Sequence, residues 1–385
     1  MLVDLHAHFP MQLLPDEQQR THERAQDWWR RRWRAQLVRL ISHFANYEGP
    51  GDEPSVSPAL MRAGDVKVAL SVVYQPFDEM DLSQAYGASP RPGYIGDLLA
   101  QIETVEDYVK GHPDELAIAH TARELEALMD GGRPILIHAV EGGFHLGDTE
   151  ADVTAGVRDL ASRGVAYITL AHLFFRHIAT NAPALPFLPD WLYHRVFPQP
   201  ASEGLTGLGR AAVLAMVQAG VLIDITHMSR RSVTDAFALL DEIDPGRRVP
   251  LIATHMACRF GKLEYCLDDA TVQKVAARGG VLGTILCEHY ITDGLGMNVS
   301  TFEHSVNAVC RHIERIRELT GSHDYAAIGS DLDGYIKPAL PGLEHLGRMA
   351  DFQAALADRY GAQDAEKICS ANALRVLRQA WGTRG

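Results

Sequence analysis

Eight short apolar runs rich in β-branched residues recur along the chain, at residues 2–4, 66–73, 134–137, 165–170, 221–225, 249–253, 280–286 and 326–329. Most are apolar at successive positions, as parallel strands covered on both faces must be. Between them, residues 98–109, 122–129, 151–163, 206–219, 232–241, 268–277 and 301–319 repeat apolar side chains at i, i+3 and i+4. That spacing predicts amphipathic helices. Strand–helix alternation carried through eight units predicts an α/β fold, a (β/α)8 TIM barrel. A doubly wound open sheet is the rival.

The polar residues favour the barrel. The first run continues Asp4-Leu5-His6-Ala7-His8, where residues two apart share a face, so that His6 and His8 can hold one metal ion. The third run leads into Glu141, the fourth into His172, the fifth into His227, the sixth into His255, and the eighth into Asp331. Six of eight strands thus end in a His, Glu or Asp. Only a closed barrel brings all the strand ends to one mouth, where barrel enzymes carry their active sites. Imidazole and carboxylate donors without thiolates suit Zn²⁺ or another divalent transition ion. Four histidines and a glutamate suffice for two ions if Glu141 bridges them. Asp4 is expected to orient ligands, and His138 to be a hydrogen-bonded interior residue.

A length of 385 residues would ordinarily suggest two or three domains. No Ser/Gly-rich linker divides the chain, so the expectation is one barrel domain over 1–385 with a helical insertion at about 10–60. The insertion carries Arg24, Arg30, Arg31, Arg32 and Arg34 beside Trp28, Trp29 and Trp33. Trp29, Trp33, Leu37, Leu40, Ile41 and Phe44 recur at helical spacing, an aromatic stripe expected to dock on the barrel or on a second subunit.

Charge and cysteine usage narrow the rest. A net charge of −13 argues against a nucleic-acid partner. Five cysteines form no CxxC pair, no apolar run reaches the length of a membrane span, and the opening residues read as a strand and not as a leader. The expectation is a cytoplasmic protein without membrane contact. Cys258 and Cys287 are read as packing residues.

The motifs DLHAH at 4–8, EGG at 141–143, TLAH at 169–172, DITH at 224–227, THMACR at 254–259 and GSDLDG at 329–334 resemble those of the peptidase M19 family. These are the renal or membrane dipeptidases of the amidohydrolase superfamily. ANALRVL at 371–377 is similar to that family's closing helix. The resemblance implies a barrel with a dinuclear zinc site, usually in a homodimer, that hydrolyses the amide bond of a dipeptide with a metal-activated hydroxide. It assigns His6 and His8 to one ion, His227 and His255 to the other, and Glu141 to the bridge. It makes Asp331 the catalytic acid/base and His172 the residue that polarises the substrate carbonyl.

Two departures stand out. The family usually has aspartate where this chain has His8. It also places a carboxylate-binding arginine some ten residues after the sixth-strand histidine, where this chain reads FGKLEYCLDD. Arg259 and Arg176 are the candidate substitutes for binding substrate. The alternative is the same machinery acting on another small amide, an N-acyl amino acid or a lactone.

Overall fold

The structure, a computed structural model, describes residues 1–13, 54–74, 79, 94–334 and 339–381. Its strands are β1 (Leu2–Ala7), β2 (Val66–Val73), β3 (Ala117–Ile118), β4 (Ile135–Glu141), β5 (Tyr167–Thr169), β6 (Leu222–Asp224), β7 (Leu251–Met256), β8 (Val281–Thr284) and β9 (Ala326–Ile328). All pair in parallel, in the order β2-β1-β9-β8-β7-β6-β5-β4. Pairing of β2 with β4 from Val68↔Ile135 to Val73↔Val140 closes the ring. This is the eight-stranded parallel barrel that the alternation predicts.

β3 is an addition. It pairs only with the start of β4, through Ala117↔Ile135 and Ile118↔Leu136. Two residues carry too little pattern to announce a strand.

The seven predicted helices all form, within a few residues of the expected bounds. Six begin on a Ser, Thr or Asp whose side chain accepts the N–H three residues on: Thr121, Thr149, Thr206, Ser229, Asp268 and Thr301. Each such cap satisfies a donor that the first helical turn would otherwise leave open, worth about 1 kcal/mol.

Alternate strand residues separate into two buried clusters. Val3, Leu5, Val68, Leu70, Ile135, Ile137, Tyr167, Leu222, Ile252, Val281 and Ala327 meet in the barrel interior. Leu374 and Leu377 of the closing helix, Asn372–Ala380, and Trp381 just after it join that cluster. The other strand faces pack on the helical layer. The Arg/Trp stripe of the insertion lies outside the described residues.

Candidate metal centre

The strand ends deliver their polar side chains to one buried cluster. His6, His8, Glu141, His227 and His255 are each 7% exposed or less, and Asp331 is 8% exposed. Glu141, the last residue of β4, sits among the imidazoles. Its Oε1 lies 3.5 Å from His6 Nε2, 3.5 Å from His227 Nε2 and 3.4 Å from His255 Nε2. Its Oε2 lies 3.5 Å from His8 Nε2. His6 and His8 present their Nε2 atoms 3.2 Å apart, and His227 and His255 theirs 2.9 Å apart.

These separations fit ligands of a metal better than partners of one another. Two atoms each 2.0–2.1 Å from a tetrahedral ion stand roughly 3.3–3.4 Å apart. The N···O distances match that edge and are too long for ordinary hydrogen bonds. Glu141 Oε1 is buried and accepts no hydrogen bond, an expensive state for a carboxylate oxygen unless a cation faces it. The donor set thus fits divalent metal binding.

Supporting residues fix which ring nitrogen is presented. The Thr254 hydroxyl donates its only hydrogen to Asp224 Oδ2 at 2.7 Å. It can therefore only accept from Nδ1 of His6, 3.2 Å away, and of His255, 3.0 Å away. Both rings then carry their proton on Nδ1 and turn an Nε2 lone pair to the centre. Tyr167 reaches across the barrel, donating to the Leu5 carbonyl with its oxygen 2.8 Å from His6 Nδ1. Burial pushes the pKa of His227 down and that of His255 well down, which keeps both neutral. Burial alone would raise the Glu141 carboxyl, but the His172 imidazole, 3.5 Å from its Oε2, holds it well below the usual carboxylate range.

Asp4 acts on the backbone and not on a ring. Its Oδ1 accepts the N–H of Ser330 at 2.8 Å and of His6 at 3.2 Å, and its Oδ2 accepts the Ser330 hydroxyl at 2.6 Å. The loop after β9 is thereby clamped to the end of β1. Asp331 N–H donates to the His6 carbonyl at 2.8 Å, and His8 N–H to the Leu332 carbonyl at 3.0 Å. The result puts Asp331 Oδ1 3.2 Å from His8 Nε2. Asp331 and His227 both take left-handed backbone, at φ 58° and 65°. Non-glycine residues in that region concentrate at functional sites, held there by surrounding contacts.

His172 stands at the rim, with Nε2 3.5 Å from Glu141 Oε2 and its ring edge-on to His227 at 4.6 Å. Its Nδ1 donates to Glu79 Oε2 at 2.5 Å. Burial works against its charged form, but the Glu141 and Glu79 carboxylates outweigh burial and push the pKa up to about 9. Glu79 is fully buried and follows β2 in the sequence, where no hydrophobic period singles it out. Tyr167 lies unmarked inside an apolar run, and Asp224 and Thr254 open the DITH and THMACR motifs without a role that residue type alone assigns.

The two candidate arginines are engaged elsewhere. Arg259 gives Nε to the Cys266 carbonyl at 2.9 Å and Nη2 to the Glu264 carbonyl at 2.8 Å. Arg176 is buried and gives Nη2 to the Glu79 carbonyl at 2.7 Å. His138 is buried, with Nε2 2.9 Å from Glu106 Oε1, away from the cluster. Cys258 and Cys287 are free, buried thiols.

A family model described as membrane dipeptidase, peptidase family M19, matches residues 1–384. An uncharacterized dipeptidase of Schizosaccharomyces pombe is 26% identical over 290 residues, 74% of this chain and 62% of its own length. Dipeptidase tcpJ of Claviceps purpurea is 24% identical over 312 residues, 79% of this chain and 64% of its own. The chain therefore spans just under two thirds of the length of these relatives. A metallo peptidase from Rhodobacter sphaeroides, solved with a phosphinate mimic of the dipeptide L-Ala-D-Ala, superposes with a TM-score of 0.71 at 18% identity over 99% of both chains. Dipeptidase AC, a metallo peptidase of family M19, superposes at 0.69 and 20% identity, over 90% of this chain and 96% of its own. At these identities the likeness is one of fold.

Proposed function

The chain belongs to the membrane dipeptidase family, peptidase family M19, and from that membership we propose that it is a metal-dependent dipeptidase working through two zinc ions. The observation that carries the proposal is the buried Glu141 carboxylate ringed by four imidazole Nε2 atoms at 3.4–3.5 Å. His6 and His8 would hold one ion, His227 and His255 the other, with Glu141 between them. Bound there, a pair of divalent ions supplies Lewis acidity and lowers the pKa of water toward neutrality.

The chain's own residues do the rest. Asp331 takes a proton from the attacking water at its carboxylate and returns it to the leaving amine nitrogen. Its left-handed backbone, held by the bond to the His6 carbonyl, aims that carboxylate at the ligand cluster. His172 turns Nε2 toward the same space and donates to the carbonyl oxygen as negative charge develops there, a contribution of about 10²–10³ in rate for one well-placed donor. Tyr74, whose ring meets His172 edge-on at 4.8 Å, shields that side of the mouth.

One observation favours a second reading. Both Arg259 and Arg176 already hold backbone carbonyls, so neither is a ready anchor for a dipeptide carboxylate. A small amide without that carboxylate, an N-acyl amino acid or a lactone would need no such anchor. Metal analysis of the purified protein, followed by turnover of L-Xaa-L-Xaa, L-Xaa-D-Xaa, N-acyl amino acid and lactone substrates, decides between them. We expect close to two zinc ions per chain and hydrolysis of at least one dipeptide series. A fully metallated protein that turns over only lactones or N-acyl substrates overturns the dipeptidase reading, and a protein that retains no metal overturns both.

A further inference from the structure

Glu79 is held as tightly as any side chain in the site, yet it is no metal ligand and lies outside every motif. Its Oε2 accepts His172 Nδ1–H at 2.5 Å, and its Oε1 accepts the N–H of Leu173 at 2.9 Å and of Phe174 at 3.3 Å. Its backbone carbonyl accepts Arg176 Nη2 at 2.7 Å. This one residue thus gathers four groups from the segment after β5, and it is 0% exposed.

A buried carboxylate needs compensation, and these three donors to its oxygens supply it. The arrangement also constrains His172. An imidazole has two usable nitrogens, and rotation of the ring would exchange them. A carboxylate on Nδ1 selects one ring orientation, leaving Nε2 as the atom that faces Glu141 Oε2 at 3.5 Å.

We propose that Glu79 is a positioning residue that locks the His172 ring through Nδ1, so that Nε2 is presented to the substrate carbonyl. The inference rests on the proposed hydrolytic role of His172, but the lock itself can be read without turnover.

The test is a double-mutant cycle of Glu79→Gln and His172→Asn on the metal-loaded full chain, with kcat and KM measured separately and metal content and Tm as controls. Loss of a group that orients a working residue through a hydrogen bond typically costs 10–100-fold. The expected result is a kcat lower by that factor in Glu79→Gln, with KM and metal content little changed. In the His172→Asn background the same substitution should cost less than twofold, because Glu79 acts only through His172. An equal loss in both backgrounds makes Glu79 merely structural and overturns the proposal, as does a kcat within twofold of wild type in Glu79→Gln.

Proton NMR of histidine-labelled protein reads the lock directly. A strongly downfield Nδ1–H resonance should be present in wild type, absent in His172→Asn and moved upfield in Glu79→Gln. Its absence from wild type overturns the proposal even if the protein hydrolyses no dipeptide. Its presence in a protein inactive on dipeptides would instead leave the lock standing and refute the dipeptidase reading.

Discussion

Gly334 closes the GSDLDG loop, and its missing side chain is a geometric requirement of the centre. A Cβ placed there would stand 2.1 Å from Asp331 Oδ1, and 2.7 and 2.8 Å from Cδ2 and Nε2 of His8. Ordinary contact begins at 3.4 Å, so Gly334→Ala demands that the Asp331 carboxylate retreat by 3.4 − 2.1 = 1.3 Å and the His8 ring by 3.4 − 2.7 = 0.7 Å. A misplacement of about 1 Å at a reacting group costs on the order of 100-fold in rate. The expected outcome is therefore a kcat about 100-fold lower, with weaker metal retention because His8 moves as well. Overpacking one methyl group also costs about 1–3 kcal/mol of stability, too little to unfold the barrel. The assay is steady-state dipeptide hydrolysis with metal analysis on the same sample. Gly111→Ala serves as control, since nothing lies within 4 Å of a Cβ there. If Gly334→Ala keeps kcat within threefold of wild type and full metal, the loop absorbs the methyl without moving Asp331, and the close-contact reasoning fails.

Asp331→Asn should retain metal and fold, because asparagine tolerates the left-handed backbone at φ 58°, while kcat drops by about 10²–10⁴-fold for want of a proton carrier. Substantial residual turnover would remove Asp331 from that role. His8→Asp restores the family's usual donor and adds one negative charge to the cluster. It should lower the metal dissociation constant measured by competition with a chelator, and an unchanged constant would show that the charge is indifferent. Away from the centre, Glu106 accepts from both His120 Nε2 at 2.6 Å and His138 Nε2 at 2.9 Å. Burial opposes ionisation of Glu106, but these partners pull its pKa from 4.5 to about 2, so its contribution is present above pH 4.5 and lost as pH falls through about 2. The pKa of His120 is raised by Glu106, so its contribution is complete below pH 6.5 and lost as pH rises through that raised value. The Tm deficit of Glu106→Gln should accordingly be largest between pH 4.5 and 6.5, and a deficit independent of pH would refute the ionic pairing.

The barrel and its candidate ligands are legible because they obey local rules. Parallel strands buried on both faces must be apolar, so a His, Glu or Asp closing such a run is conspicuous without any knowledge of its partner. His6, Glu141, His227, His255 and Asp331 all announce themselves this way. The supports obey no local rule. Glu79 lies 93 positions from His172, in a segment with neither a 3.6 nor a 2.0 period, and only the closed ring makes it a neighbour of the segment after β5. Thr254 reads as one more β-branched strand residue, and its role appears only when Asp224 on β6 takes its hydrogen. The arginines are legible in position but not in engagement. Arg259 gives two of its guanidinium donors to nearby carbonyls and Arg176 gives its Nη2 to one, contacts that position near the mouth does not announce. In the loop after β7, Arg259 folds back onto Glu264 and Cys266, a turn conformation that residue types alone do not encode. Chemistry was therefore readable wherever a single residue contradicted its strand. Orientation was not, because it belongs to pairs that meet only across the barrel. The Glu79–His172 contact and the two engaged arginines are of this kind, and they bear on how a substrate would be held more directly than the proposed metal ligands do.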